Sequence, residues 1–226
     1  MSAKTDGTAK GAAKRQPKQQ SSDNTRDKIL DAAETLFGER TFDTVSLRDI
    51  TQKADVTLAL ASYHFGTKER LFAEVVGRRA DILNQMRRQR LAAIEADGKL
   101  DTRSIVDAFM HPLFEQMASG SAGWESYLLI LAQLGQTNRW LHLLHASFDE
   151  TAELFLAKLE AALPAVPKPV LMRGFSMVLV SMLQTLSRNR RIDALSGGAV
   201  SADDLDAAYV VLLQFVVKGL KGLGAE

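Results

Sequence analysis

From Asn24 almost to the C-terminus, the apolar residues of this chain recur three and four positions apart, and nowhere do they alternate as a strand would. That spacing marks one face of a helix, so the chain is expected to be all-α. The first such stripe is Ile29, Leu30, Ala33, Leu36 and Phe37. Asn24 or Thr25 is a suitable N-cap for it and Gly38 a suitable stop. No internal repeat is visible. At 226 residues the chain can bury one generous core, or a small one and a larger one.

The next two helices are short. Ser46 and Asp49 have capping-box spacing at the start of one, with Leu47, Ile50 and Ala54 facing inward. Asp55 falls in the following turn, where a left-handed residue is often needed and Asp tolerates it. Thr57 is the N-cap of the third helix, which runs to Phe65 and stops at Gly66. Three helices with a tight turn between the second and third make a helix-turn-helix, although periodicity alone allows any small bundle. A long fourth helix follows, from Thr67-Lys68 to about Ala96, closed by Asp97-Gly98.

More helices are expected beyond it. One spans about Thr102 to Met117, bent at Pro112, and another about Trp124 to Leu134. A third, capped by Thr137, runs to about Leu163. The helix from about Pro169 to Arg188 is apolar nearly all round and must be buried on several sides. A loop at Gly197-Gly198 precedes a last helix opened by Ser201 and Asp204.

Charge separates the N-terminus from the rest. Residues 1–22 carry Lys4, Lys10, Lys14, Arg15 and Lys18 against Asp6, with few large apolar groups. They are expected to form a disordered basic tail, either a solvated tail or an arm that tracks DNA. Residues 23–65 hold five basic residues against eight acids, so any nucleic-acid surface there depends on local charge and motif geometry. There is no Cys, which excludes disulfides and thiolate metal sites and fits a cytoplasmic protein. The first 22 residues lack the apolar core of a secretory signal. The longest apolar run, Phe175 to Leu183, is short for a membrane span and is interrupted by Ser176 and Ser181.

Three segments in order carry a specific likeness: Ile29-Leu-Asp-Ala-Ala-Glu-Thr-Leu-Phe37, Ser46-Leu-Arg-Asp-Ile50 and Tyr63-His-Phe-Gly-Thr-Lys-Glu-Arg-Leu-Phe72. They resemble the head of the TetR family of repressors, over about 50 residues. The resemblance implies a helix-turn-helix DNA-binding domain over 23–70 and a helical ligand-binding and dimerisation domain over 71–226. It also implies a homodimer through the last two long helices, with heads reaching successive major grooves of double-stranded operator DNA. Tyr63 and His64 would face the DNA backbone or groove wall, and Lys68 a phosphate. Ser46 would donate to a phosphate at a helix N-terminus, with Arg48 reaching the same backbone. Thr57 and Ser62 are the polar readers of base edges, and Leu58 is placed for thymine methyl groups. The sequence departs from the family at Asp55, where Gly is usual, and at Leu60 and Ala61, which leave few hydrogen-bonding groups in the recognition helix. Readout is therefore expected to lean on apolar contacts and DNA shape.

The C-terminal half is rich in bulky apolar groups. Phe109, Phe114, Trp124, Tyr127, Trp140 and Phe175 are the candidate ligand contacts, with His111, Gln133, Arg139 or His142 as polar anchors. Each of these is also an ordinary core residue. The recognition helix also resembles a branch of the family that includes fatty-acid-responsive regulators, and that resemblance implies a lipophilic or acyl-type effector. His142, His145 and Asp149 are spaced at helical turns in a way that can hold a metal, but two exposed imidazoles are the commoner case, and no metal or other cofactor is expected. No Gly-rich phosphate loop, metalloprotease motif or nucleophile motif is present, so an enzyme is not expected. Two alternatives to a ligand-controlled repressor stay open: a DNA-binding protein without a ligand, and a helical lipid- or small-molecule-binding protein without DNA regulation.

Overall fold

In the computed structural model, residues 17–224 are described, with side chains from Asp23 onward; residues 1–16 of the expected basic tail lie outside them. Eleven α-helices account for most of the described chain, and no strand occurs among the described residues. α1 (Pro17–Glu39) starts before the expected Asn24. Pro at the first helical position gives up no hydrogen bond, and Lys-Gln-Gln after it are good helix formers. Gly38 does not stop the helix. It lies beneath Ser126, and a Cβ at Gly38 would sit 2.8 Å from the Ser126 Cα and carbonyl oxygen. Gly38→Ala is therefore expected to lower the unfolding free energy by about 1–3 kcal/mol, read from the urea midpoint, because the obstacle is backbone and cannot rotate away.

α2 (Leu47–Lys53) opens with both halves of the capping box between Ser46 and Asp49. Asp55 has φ of 53°, the left-handed turn residue the sequence demanded. The Val56 amide closes the turn on the Thr51 carbonyl at 3.0 Å. α3 (Leu58–Phe65) then buries Ala61 and Phe65 and ends at Gly66, whose φ is 73°.

α4 (Lys68–Ala96) has 29 residues and is about 43 Å long. Its first turns bury Leu71, Phe72, Val75 and Val76, and its later turns Ala80, Leu83, Arg87 and Leu91. The remaining helices are α5 (Thr102–Ala118), which runs through the buried Pro112, α6 (Ala122–Leu134), α7 (Leu141–Leu144), α8 (Glu150–Ala162), α9 (Lys168–Leu186), α10 (Arg191–Leu195) and α11 (Leu205–Gly222). α6 lies along α1, so the larger body grips the head directly.

Three expectations are corrected. The helix expected from Thr137 to Leu163 is divided. A 3-10 turn (Asn138–Trp140), α7 and a π-helical stretch (His145–Asp149) precede α8. The Asn84 amide of α4 donates to the Ser147 carbonyl at 2.6 Å, and such an intruding donor favours a slip of helical register. α11 is capped by Asp204, which accepts from the Ala207 amide, and not by Ser201, whose hydroxyl is turned to the Asp203 amide. The loop before it contains α10, too short to show a periodicity. Finally, α9 is not buried all round. It has the length and composition of a membrane span, but it carries Lys168 and Arg173 and packs against α5, α6, α8 and α11. Met172, Met177 and Val180 are left exposed.

Candidate nucleic-acid interface and apolar cavity

α3 presents one clean outer face. Thr57, Leu58, Leu60, Ser62 and Tyr63 are exposed, and Tyr63 is 80% accessible. The Thr57 hydroxyl makes no capping bond to α3. His64 is half-buried between the Tyr63 and Phe65 rings, with centroids at 5.2 and 6.0 Å. Ala61 points into the core, so of the two residues within α3 that depart from the family only Leu60 reaches the outer face. A face of small, apolar and hydroxyl groups anchored by one aromatic ring can fill a groove and follow its shape.

The flanking polar residues divide. The Arg48 side chain has no hydrogen-bond or ion-pair partner among the described residues. Ser46 is committed locally. Its hydroxyl donates to the Asp49 carboxylate at 2.6 Å and accepts from the Asp49 amide at 3.2 Å. The hydroxyl's bond to the carboxylate, joined by the Ser46 amide donating to the same oxygen at 2.8 Å, holds the Asp49 carboxyl below the usual carboxylate range. The Lys68 ammonium donates to the carbonyls of Phe42 (2.8 Å) and Val45 (2.7 Å) and lies 4.2 Å from the Phe42 ring centroid. Lys68 thus fastens the loop before α2 to the start of α4, and one of its three hydrogens remains for an outside acceptor.

The body contains an apolar cavity of about 460 Å³. Leu83 and Arg87 of α4, Phe109 of α5, Leu131 of α6, Leu144, His145, Phe148, Asp149 and Ala152, and Leu179, Met182 and Leu183 of α9 line it. Of the candidate ligand contacts only Phe109 belongs to this lining. The others are fixed in the core. Trp140 packs against Phe42 and Phe72 at 4.8 and 4.9 Å, joining body to head. Tyr127 donates its hydroxyl to the Val76 carbonyl, Trp124 lies under Arg79, Phe114 meets Tyr209, and Phe175 meets Phe109. The expected anchors are likewise engaged elsewhere: His111 with Arg90, Gln133 with the Phe37 carbonyl, and Arg139 with Asp43. His142 lies beside Trp140, while His145 pairs with Asp149 at 2.8 Å. Among the described residues no cluster of three His, Asp or Glu side chains is placed to hold a metal.

α9 and α11 run antiparallel: a Cβ on Gly174 would meet Leu220 and Leu223, whereas Gln184 and Thr185 share a groove with Asp204 and Ala207. Their outer side carries Met177, Val180, Val211 and Phe215, the last 69% exposed. The groove, about 770 Å³, is lined partly by Val211 and Phe215 and so belongs to this open face.

The whole arrangement matches known proteins. One family model, bacterial regulatory proteins of the tetR family, matches residues 29–75, and a second, the tetracyclin repressor-like C-terminal domain, matches residues 107–219. The HTH-type transcriptional repressor KstR2 of Rhodococcus jostii (strain RHA1) is 28% identical over 137 residues, which are 60% of this chain and 64% of that protein. The biofilm operon icaADBC regulator IcaR of Staphylococcus aureus (strain Newman) is 36% identical over 61 residues, 27% of this chain and 33% of its own length. The chain thus spans just under two thirds of the first relative and a third of the second. Among solved structures, NalD, the secondary repressor of the MexAB-OprM multidrug efflux pump in Pseudomonas aeruginosa, superposes with a TM-score of 0.58 at 23% identity, covering 88% of this chain and 97% of that one. The TetR family regulator PfmR from Thermus thermophilus gives 0.55 at 21% identity, covering 84% and 97%. With the C-terminal family model alone covering half of its residues and the head model covering the helix-turn-helix, this chain belongs to the TetR family of bacterial regulators.

Proposed function

We propose that the protein is a homodimeric transcriptional repressor that binds operator DNA in the cytoplasm and is released from it by a small lipophilic effector. The observation that carries this reading is the α3 face, with Thr57, Leu58, Ser62 and Tyr63 outward and Ala61 and Phe65 locked beneath. In this reading Thr57 and Ser62 meet base edges, Leu58 meets thymine methyl groups, and Tyr63, His64 and Arg48 meet the backbone. Ser46 and Lys68 hold α2 and the preceding loop in place, and Lys68 offers its remaining hydrogen to a phosphate. The effector enters the 460 Å³ cavity. α4 supports the coupling, because one helix buries its early turns in the head and exposes Leu83 and Arg87 to the cavity. A ligand that binds best when α4 is tilted favours a dimer whose heads no longer match half-sites about 34–36 Å apart or a multiple of this.

The test is fluorescence anisotropy on DNA from upstream of the protein's own gene against random DNA of equal length, across a salt series. A preference of roughly 10³-fold or more is expected. Arg48→Ala should shallow the salt slope by about one unit. Its melting should hardly change, because the Arg48 side chain is exposed and makes no hydrogen bond or ion pair among the described residues that the mutation would disrupt. A folded protein that binds neither DNA at low salt would overturn the reading in favour of a small-molecule-binding protein without DNA regulation.

A further inference from the structure

The cavity holds a charged group that the fold leaves without a counterion. Arg87 is only 4% exposed and lines the cavity wall. Its Nε donates to the Phe109 carbonyl at 2.9 Å, and the guanidinium lies 3.9 Å from the centre of the Phe109 ring. Among the described residues its two terminal nitrogens have no hydrogen-bond or ion-pair partner. Burial pushes the guanidinium down to about 9, and the only charge interaction opposing this is with Tyr127. Tyr127 is itself a buried phenol whose hydroxyl donates to a backbone carbonyl, and burial raises its pKa far above neutrality, so it supplies no anion. Asp149 also lines the cavity, but its side chain is 48% exposed and is held by His145. The neighbouring arginines are all neutralised or bonded. Arg78 and Arg79 pair with Glu34, Arg90 with Glu115, and Arg88 donates to Thr151. An unpaired buried charge is costly, and an entering anion would relieve that cost.

We propose that Arg87 is the anchor for the carboxylate of an amphipathic organic acid, whose apolar body lies against Leu83, Leu131, Leu144, Phe148 and Leu183. This rests on the reading of the cavity as the effector site and adds the chemical class of the effector. Two terminal nitrogens in one plane match the two oxygens of a carboxylate. The remaining lining is mainly aliphatic and aromatic, which suits an alkyl or alicyclic body and offers little to a sugar or a peptide.

Calorimetric titration of the full chain with octanoate, decanoate and dodecanoate, each beside the alcohol of equal chain length, tests the anchor. The acids should bind at least about tenfold tighter than the alcohols, the range of a charge-assisted hydrogen bond. Arg87→Met should erase that preference while still binding the alcohols. Replacing a lone buried charge by an apolar side chain of similar size is commonly neutral or stabilising, so this variant should fold. Arg87→Lys should keep part of the preference, and it decides the matter together with the wild type if Arg87→Met is unstable. Equal affinity for acid and alcohol, a preference that survives Arg87→Met, or binding of neither class would overturn the proposal. DNA anisotropy with the same ligands keeps the two readings apart. Release of DNA by acids and alcohols alike leaves the regulator standing and removes only the anchor.

Discussion

Phe215→Glu is expected to leave a folded monomer that has lost tight binding to its operator. Phe215 is 69% exposed, and Val211, one turn earlier on α11, is 67% exposed, so the single chain does not depend on either for its core. Together with Met177 and Val180 of α9 they form an apolar face larger in kind than scattered surface residues explain. If two copies meet across a two-fold axis, each residue of the face is buried twice, and one substitution places two carboxylates in one apolar interface. Desolvating each ion costs several kcal/mol, and with about 1.4 kcal/mol per tenfold the dimer should weaken by roughly a thousandfold or more. A monomer reaches one half-site only, so its preference for operator over random DNA should fall toward that of nonspecific binding. Sedimentation velocity gives the mass and anisotropy the affinity. A variant that remains dimeric would place the interface elsewhere, and a wild type that is monomeric at micromolar concentration would remove the dimer from the proposed function.

The head was legible in the sequence because its signals are local. Ser46 and Asp49 three residues apart make a capping box wherever they sit, and Asp55 had to take the left-handed turn between two crossing helices. The bounds of α4 followed from Thr67 in front and Asp97-Gly98 behind. What each polar group does next depends on neighbours that are distant in sequence. Lys68 reaches back 26 residues to the Phe42 carbonyl, and no spacing rule announces that bond.

The cavity was not legible, and the reason is packing. Large aromatic groups were the natural candidates for its lining, yet a large group is also what fills a core. Trp140, Tyr127, Trp124, Phe114 and Phe175 went to the core, and the space left over is walled mainly by Leu, from four separate segments. Arg87 escaped notice for a related reason. It stands in a run with Arg78, Arg79, Arg88 and Arg90 that looks like one solvated face. Successive helical residues are turned about 100° from each other, so Arg87 goes inward while Arg88 stays exposed. Glu34, Asp31 and Glu115, which pair with Arg78, Arg79 and Arg90, lie on helices whose packing partners the sequence does not name.

Glu34→Ala should destabilise the protein by about 3 kcal/mol, through the joint between head and body. Glu34 of α1 is 2% exposed and receives the Arg79 Nε and Nη2 at 2.8 Å each, a two-point fork, and the Arg78 Nη2 at 3.0 Å. The hydrogen bond to Glu34 raises the Arg79 pKa above its ordinary value, against the effect of burial. Arg79 also stacks over Trp124 at 5.0 Å. Gly123 makes room for the cluster: a Cβ there would lie 2.9 Å from the Glu34 carboxylate and collide with the Arg79 guanidinium. Removing the carboxylate leaves two guanidiniums facing each other across a gap. The loss falls at the lower end of the range for a broken buried pair because both arginines reach water, at 18% and 25% side-chain exposure, and Arg78 keeps Asp31 at 2.8 Å. Glu34→Gln, which preserves shape and one acceptor, should cost less, about 1–2 kcal/mol. Urea unfolding of the three proteins gives both differences. A loss below about 1 kcal/mol for Glu34→Ala would mean that water replaces the carboxylate and that the aromatic contact of Trp140 with Phe42 and Phe72 carries the joint.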